Sequence, residues 1–562
     1  MLGAIFVAAC VLGSSLYSTS IVHGDTYSAK ARSQYAKPAA NIYDRGTIFF
    51  SSFSGKDGTE TAAATLGSGS LVYMNPKLVR DAAATYEALT HYIPLDRASF
   101  MAKAAKPNDP YEELAHKIDP AVAQSISGLG LPGILTSKET WRSYPGGALA
   151  AHELGIIGQD AASSTVSGKY GLERSFNDVL LRPTVGSTAN IFAQLFAGIS
   201  SAAFGTKKEG DIVTTIEPTV ERYLEKMLEQ TSAIWHPKEI GGVIMDPSTG
   251  EIVAMSSLPT FDPNNTGAVK LVSTFSNPLV EHVYELGSIM KPLTMAIALD
   301  SGAEKANSTY NDTGCMTLNT KKICNFDGKA RGVIPMQEIL SQSLNIGAAT
   351  IALKTGASTY SDYFFKFGFG DKSNIDLPNE GSPLTKKMRA PTDIDIAVAS
   401  YGQGYAVSPI SMARSLSILA NGGYLITPHV VRQINYTDGT TEKVTPNKVG
   451  PLLKPETIDA VKKMLVTVVD TKLANGAIKK EHYSIGAKTG TAEIADLVNG
   501  GYYHDRYLHS FFGFFPAQNP KFLIFLYQVE PKGALYASET LTKPFDELTT
   551  FLLNYYNVSP DR

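Results

Sequence analysis

The sequence predicts a multidomain protein whose last part, 238–562, is one mixed α/β domain. Three observations carry this. A chain of 562 residues is too long for one compact core, so about three or four folding units are expected. No charge precedes Asp25, and the chain opens on an almost wholly apolar run to Tyr17. Over 238–562, strand-like segments stand at both ends with long apolar helical segments between them. The 43% apolar and 18% charged residues are ordinary for a globular protein, and a net charge of −3 leaves no basic footprint for nucleic acid.

The opening segment 1–22 is uncharged, and 22 residues at ~1.5 Å each just cross a ~30 Å hydrocarbon layer. A cleaved signal peptide should begin with Lys or Arg, and a signal anchor should carry the same flank on its inner side. Neither flank is present, which suggests a short cytoplasmic start before Met1. Val7-Ala8-Ala9-Cys10 also resembles a lipoprotein processing box with too little sequence before it. A transmembrane anchor is the reading carried forward, ahead of a lipoprotein and then a cleaved signal. All three put the bulk of the chain outside the membrane.

Residues 26–60 read as a stalk with an emerging strand at Gly46-Thr-Ile-Phe-Phe50. Helical spacing dominates 76–130, and Gly- and Pro-rich turns follow to 146. Ile191, Phe192, Leu195, Phe196 and Ile199 recur at helical spacing in 191–204. That segment is too short to span a bilayer; it either packs on its own domain or touches the membrane or a polytopic partner, with Lys207 and Lys208 following. A strand at 211–216 leads into a helix over 219–230 that Pro218 opens. Gly242-Val-Ile-Met245, the turn Asp246-Pro-Ser-Thr-Gly250 and Glu251-Ile-Val-Ala-Met255 form a hairpin. Apolar helices are predicted near 291–300, 335–353 and 407–421, strands near 483–492, 508–515 and 521–529, and a closing helix over 544–555.

The chemistry concentrates in three short motifs. Ser288-Ile-Met-Lys291 is the only Ser-x-x-Lys in the chain. At helical spacing it sets an amine beside a hydroxyl, which is what a serine nucleophile needs when no histidine serves as base. Ser343-Leu-Asn345 offers a hydroxyl and an amide on a tight loop or helix start; Ser175-Phe-Asn177 has the same pattern. Lys-Thr-Gly occurs twice. Lys354-Thr-Gly356 ends a helical run and is explained as a last-turn Lys with a Gly cap. Lys488-Thr489-Gly490-Thr491 lies in a Gly-punctuated strand that lets another backbone approach, so the chemistry is assigned to it. Each motif alone is more often structural; the order of the three carries the reading. Cys315 and Cys324 lie in a polar insert, 311–329, of an exported chain, and are expected to pair as a disulfide rather than remain free thiols. They fall short of a zinc ligand set, so no metal is expected.

Ser-x-x-Lys, Ser-x-Asn and Lys-Thr-Gly in this order resemble the penicillin-recognising serine enzymes. Tyr284-Glu-Leu-Gly-Ser-Ile-Met-Lys-Pro-Leu-Thr294 and Lys488-Thr-Gly-Thr-Ala-Glu493 are similar to the class B penicillin-binding proteins. So are Asp44-Arg-Gly-Thr-Ile48, Arg142-Ser-Tyr-Pro145, Ala150-Ala-His-Glu-Leu-Gly155, Gly171-Leu-Glu173 and Gly402-Gln-Gly404. The resemblance runs from about residue 40 to the end, without 190–206. It implies a membrane anchor (1–22), an elongated α+β pedestal of dimerisation type (26–237), and a transpeptidase domain (238–562). That last domain would hold an antiparallel sheet flanked by helices plus an all-helical subdomain.

The implied activity is a D,D-transpeptidase that cross-links peptidoglycan stem peptides and is acylated by β-lactams, without a cofactor. Ser288 would be the nucleophile and Lys291 its base. Lys488 and Ser343 would relay the proton to the leaving amine, and Asn345 would hold the peptide amide. Thr489, Gly490 and Thr491 would form the substrate-binding strand. The enzyme would sit in the plasma membrane with its catalytic domain on the extracytoplasmic side. A polytopic glycan polymerase and other division or elongation proteins would be its partners, with the Ser-Leu-Asn form leaning to division. The alternative is a catalytically silent β-lactam sensor or division scaffold. Arg45 and Arg142 are read as structural in the non-catalytic domain, and His152 as a structural or surface histidine.

Overall fold

A computed structural model of the chain describes residues 44–52, 60–106, 108–159, 166–182, 208–496 and 498–562. The apolar start 1–22 with Cys10, and the segment 191–204, lie outside the described residues. Among the described residues no helix is long and apolar enough to cross a membrane. The described residues divide into two compact units: those within 44–45, 65–143 and 181–182 fall in one, and those within 46–64, 144–180 and 208–562 in the other.

The smaller unit is α+β. The part of strand Thr61–Met74 that belongs to it pairs antiparallel with Glu112–Ile118 on one edge and with Ile134–Ser143 on the other. Helices Ala82–Thr90, Arg97–Ala104 and Pro120–Gly128 each begin on an aspartate (Asp81, Asp96, Asp119) whose carboxylate accepts a first-turn N–H. Val72, Met74, Leu89, Ile93, Phe100 and Ile126 form its core. Three expectations change here. Glu112–Ile118 interrupts the helical reading of 76–130, and Ile134–Ser143 is a strand where turns are predicted. The long strand Thr61–Met74 follows directly on the stalk reading, its Ala, Gly and Ser residues giving no strand pattern.

The larger unit is built on a five-stranded antiparallel sheet. Its strands are β1 (Glu239–Met245), β2 (Ile252–Leu258), β3 (Gly486–Ala495), β4 (Tyr502–Phe515) and β5 (Phe522–Val529), in the order β2-β1-β5-β4-β3. β5 is buried along its whole length, which explains its unbroken apolar run. Helix α1 (Pro218–Trp235) packs on the sheet beside the closing helix (Thr542–Tyr555), with the Tyr223 and Phe551 rings stacked 3.9 Å apart. Between β2 and β3 the chain forms a mostly helical subdomain that includes α2 (Lys291–Asp300), α3 (Asn345–Thr355) and α4 (Pro455–Thr471). The helix predicted over 335–353 is two helices, Gln337–Ser341 and α3, broken at Ser343, whose φ of +56° no helix accommodates. Strands Gly210–Thr214, Ile48–Phe50 and residues 61–64 add a second sheet to this unit.

Candidate active site

The site forms where the start of α2, the break before α3 and strand β3 meet. Ser288 stands in a 3-10 turn, Gly287–Met290, that runs directly into α2. Gly287 has φ +66°, a conformation that favours glycine, and its Cβ position would lie 3.0 Å from the Thr491 carbonyl. Pro292 follows within the first turn of α2, where its missing N–H costs nothing. The left-handed Ser343 lets the chain reverse, so that Ser343 and Asn345 both reach the same amine.

That amine is Lys291 Nζ. It lies 2.8 Å from Ser288 Oγ, 2.6 Å from the Ser343 carbonyl, 2.8 Å from Asn345 Oδ1 and 3.2 Å from Ser343 Oγ. Lys291 is fully buried, and burial, then the neighbouring Lys488 cation, holds it well below the ordinary lysine range. A neutral amine has two N–H donors and one lone pair. The Ser343 carbonyl and Asn345 Oδ1 can only accept, so they take the two donors, and the lone pair is left for the Ser288 hydroxyl. In its neutral state the amine can therefore accept from the Ser288 hydroxyl.

Lys488 Nζ donates to Ser343 Oγ at 3.0 Å and to the Thr489 carbonyl at 2.8 Å. Burial lowers its pKa to about 7. Ser343 Oγ therefore bridges the two lysines. Asn345 Nδ2 donates to the Cys324 carbonyl at 3.0 Å, which fixes the amide's orientation toward Lys291. Thr491 Oγ1 accepts from the Ala537 N–H at 3.0 Å, so its own hydroxyl proton can still be donated. Ser288, Ser343, Asn345, Lys488, Thr489 and Thr491 line one cleft of about 780 Å³.

The other motif copies lie elsewhere. Lys354 pairs with Glu304 at 2.7 Å in the last turn of α3, with Gly356 as its cap. His152 is buried and bonded to the Thr274 carbonyl at 3.0 Å, with its pKa lowered to about 4 by burial. Arg45 and Arg142 are buried in the smaller unit. Sequence reasoning did not single out the Cys315–Cys324 hairpin as a wall of the site. The two cysteines are disulfide-bonded, and Cys324, Asn325 and Phe326 line the cleft. Also unanticipated were Ser510, whose hydroxyl reaches the backbone beside Ser288, and the Ala537 N–H on Thr491. The one signal for Ser510 was a hydroxyl at the head of the apolar run Phe511–Phe515.

A family model described as penicillin binding protein transpeptidase domain matches residues 240–548, and one described as penicillin-binding protein dimerisation domain matches 57–192. Stage V sporulation protein D of Bacillus subtilis is 27% identical over 547 residues, covering 95% of this chain and 81% of that protein. Peptidoglycan D,D-transpeptidase FtsI of Escherichia coli is 28% identical over 505 residues, covering 87% of this chain and 81% of that protein. The solved structure of penicillin binding protein 2X from Streptococcus thermophilus is similar in fold, with a TM-score of 0.73 at 20% identity over 92% of this chain and 80% of that one.

Proposed function

The chain belongs to the penicillin-binding protein transpeptidase family, and we propose that it cross-links peptidoglycan stem peptides as a serine D,D-transpeptidase. The observation that carries this is the buried Lys291 amine 2.8 Å from Ser288 Oγ, with its other neighbours taking up its N–H donors. Ser288 Oγ attacks the penultimate D-Ala carbonyl while its proton passes to Lys291. The tetrahedral oxyanion is received by the Ser288 and Thr491 N–H groups, each worth ~3–4 kcal/mol by analogy with comparable sites. On collapse the C–N bond breaks, the leaving D-Ala amine takes a proton from Ser343 Oγ, and Lys488 resupplies it. The proton held by Lys291 crosses through Ser343 Oγ to Lys488, so both lysines return to their starting states. Thr489 and Thr491 hold the terminal carboxylate, Gly490 gives the strand room beside the nucleophile turn, and Asn345 holds the donor peptide amide. The amine of a second stem peptide then attacks the acyl-enzyme, its proton returning through Lys291, and Ser288 is released. A β-lactam follows the first half of this path and remains as the acyl-enzyme.

We place the larger unit on the extracytoplasmic side of the plasma membrane, held by a single apolar segment at 1–22 and working with a polytopic glycan polymerase in division. The uncharged start and the family resemblance support this placement.

A fluorescent penicillin tests the chemistry directly. Wild-type protein is expected to carry one covalent adduct on Ser288, and Ser288→Ala none; labelling that survives in the variant would overturn the mechanism. Incubating a pentapeptide donor with an amine acceptor then separates a working transferase, which forms the cross-linked product, from a silent sensor, which only acylates.

A further inference from the structure

Ser510 has no task in the scheme above, yet it is a wholly buried polar residue that, with His509 before it, heads the apolar run Phe511–Phe515 of β4. It lies directly opposite Gly490 in the β3–β4 register. Its hydroxyl donates to the Leu286 carbonyl at 2.7 Å and stands 3.4 Å from the Gly490 carbonyl. Leu286 immediately precedes the Gly287–Met290 turn that presents Ser288. The Gly490 carbonyl belongs to the same planar peptide as the Thr491 N–H, so whatever orients one orients the other. One hydroxyl therefore contacts both backbone walls that bring N–H donors to the cleft.

The fit between these walls is close. A Cβ at residue 490 would collide with Ser510 Oγ and lie 2.8 Å from the Leu286 carbonyl and 3.1 Å from the Ile289 nitrogen. On its far side the Leu286–Gly287 peptide is fixed as well, since the Gly287 N–H donates to the Gly402 carbonyl at 3.0 Å. With no side chain possible at 490, the spacing of the walls depends on backbone contact and on the Ser510 hydroxyl. A buried carbonyl needs a donor in any case, so the hydroxyl also has a purely structural use. The two uses separate in kinetics. Oxyanion donors act on the transition state, so their misplacement lowers the acylation rate constant and leaves ground-state binding nearly unchanged.

We propose that Ser510 is a positioning residue that ties the nucleophile turn to β3 and sets the separation of the Ser288 and Thr491 N–H groups. This rests on the transpeptidase reading. The test uses stopped-flow acylation of the full chain by a fluorescent penicillin, with the long-time adduct counting competent sites so that rates are per folded enzyme. Ser510→Ala and Ser510→Val are expected to lower the limiting acylation rate at least tenfold, with less than twofold change in the half-saturating concentration. Ser510→Thr, which has the shape of Val and restores the hydroxyl, is expected within about threefold of wild type. Ala acylating at the wild-type rate overturns the proposal, as does Thr losing as much as Val. It is equally overturned if neither Ala nor Val yields any competent site, since the hydroxyl is then a requirement of folding. A wild-type chain that forms no adduct would overturn the parent reading and this one together.

Discussion

A lysine ammonium in water has no lone pair to offer, and the site removes that obstacle by burial. Lys291 is fully enclosed, and burial, with the Lys488 cation adding to the effect, shifts its pKa well down and favours the neutral form. Acylation should therefore fall as pH falls and Lys291 becomes protonated. Removing the Lys488 charge lets the Lys291 pKa rise, so the acid limb of the pH–rate profile is expected to move to higher pH in Lys488→Ala. In the same variant the maximal acylation rate should drop at least tenfold, ~1.4 kcal/mol or more of barrier, while Lys354→Ala stays near wild type because its partner is Glu304. Fluorescent-penicillin kinetics across pH measure both effects.

The Lys488 pKa also makes a prediction about stability. It is about 7 in the folded state against an ordinary 10.5, so between those values the unfolded chain binds the additional proton. Stability from this group is complete above the unfolded value and is lost as pH falls through about 7, with a slope of at most ~1.4 kcal/mol per pH unit. Urea melts should show wild type gaining on Lys488→Met between about pH 7 and 9. A difference that stays constant with pH would count against a depressed Lys488.

At the level of elements, the site depends on backbones approaching where side chains would prevent it. Gly490→Ala puts a methyl against the Leu286 carbonyl and the Ser510 hydroxyl, and acylation per competent site should fall at least tenfold. A rate equal to wild type would mean that β3 and the nucleophile turn can separate without consequence. The disulfide hairpin is a second case. Strands Cys315–Leu318 and Lys321–Cys324 pair with the two cysteines opposite each other, and the Cys324 carbonyl accepts from Asn345. Asn325 extends the brace, accepting the Ile346 N–H at 3.1 Å and donating to Asp312 at 2.8 Å. Closing so short a loop contributes ~2–3 kcal/mol in the chain-entropy description. The double variant Cys315→Ser, Cys324→Ser should lose about that much in a denaturant melt, and non-reduced wild type should show no free thiol at either position. Most elements of the larger unit were legible because apolar periodicity reports burial on one face. The strands of the smaller unit were less so. Thr61–Met74 is rich in Ala, Gly and Ser, and Glu112–Ile118 is half-exposed and charged, so neither alternates clearly.

For the molecule as a whole, the catalytic unit is discontinuous in sequence. Ile48, Phe50, Leu149, Leu172 and Leu180 belong to the same core as the catalytic sheet and helices, and so do Val220 and Leu224 of α1. A fragment cut at 238 loses all of these, although it keeps every residue of the proposed mechanism. It is expected to melt well below the full chain, or to aggregate, and to give fewer penicillin-competent sites per mole. A fragment 238–562 that melts and labels like the full chain would show that the earlier segments only decorate the unit.

What the sequence by itself determined was chemistry carried by short covalent spacing. Ser288 and Lys291 are three residues apart, which leaves few ways for hydroxyl and amine not to meet at a helix start. Lys354 before Gly356 is a helix end by local rule, and it is one in the structure. What only the tertiary structure decided was everything joined across long separation by groups without a distinctive pattern. The Cys324 carbonyl on Asn345, Ser510 on Leu286 and the segments before 208 in the catalytic core are of this kind. A backbone carbonyl is the same in every residue, and a serine in a strand is common. Which of them meet is set by how sheet and helices pack, because buried polar groups must find partners wherever packing brings them.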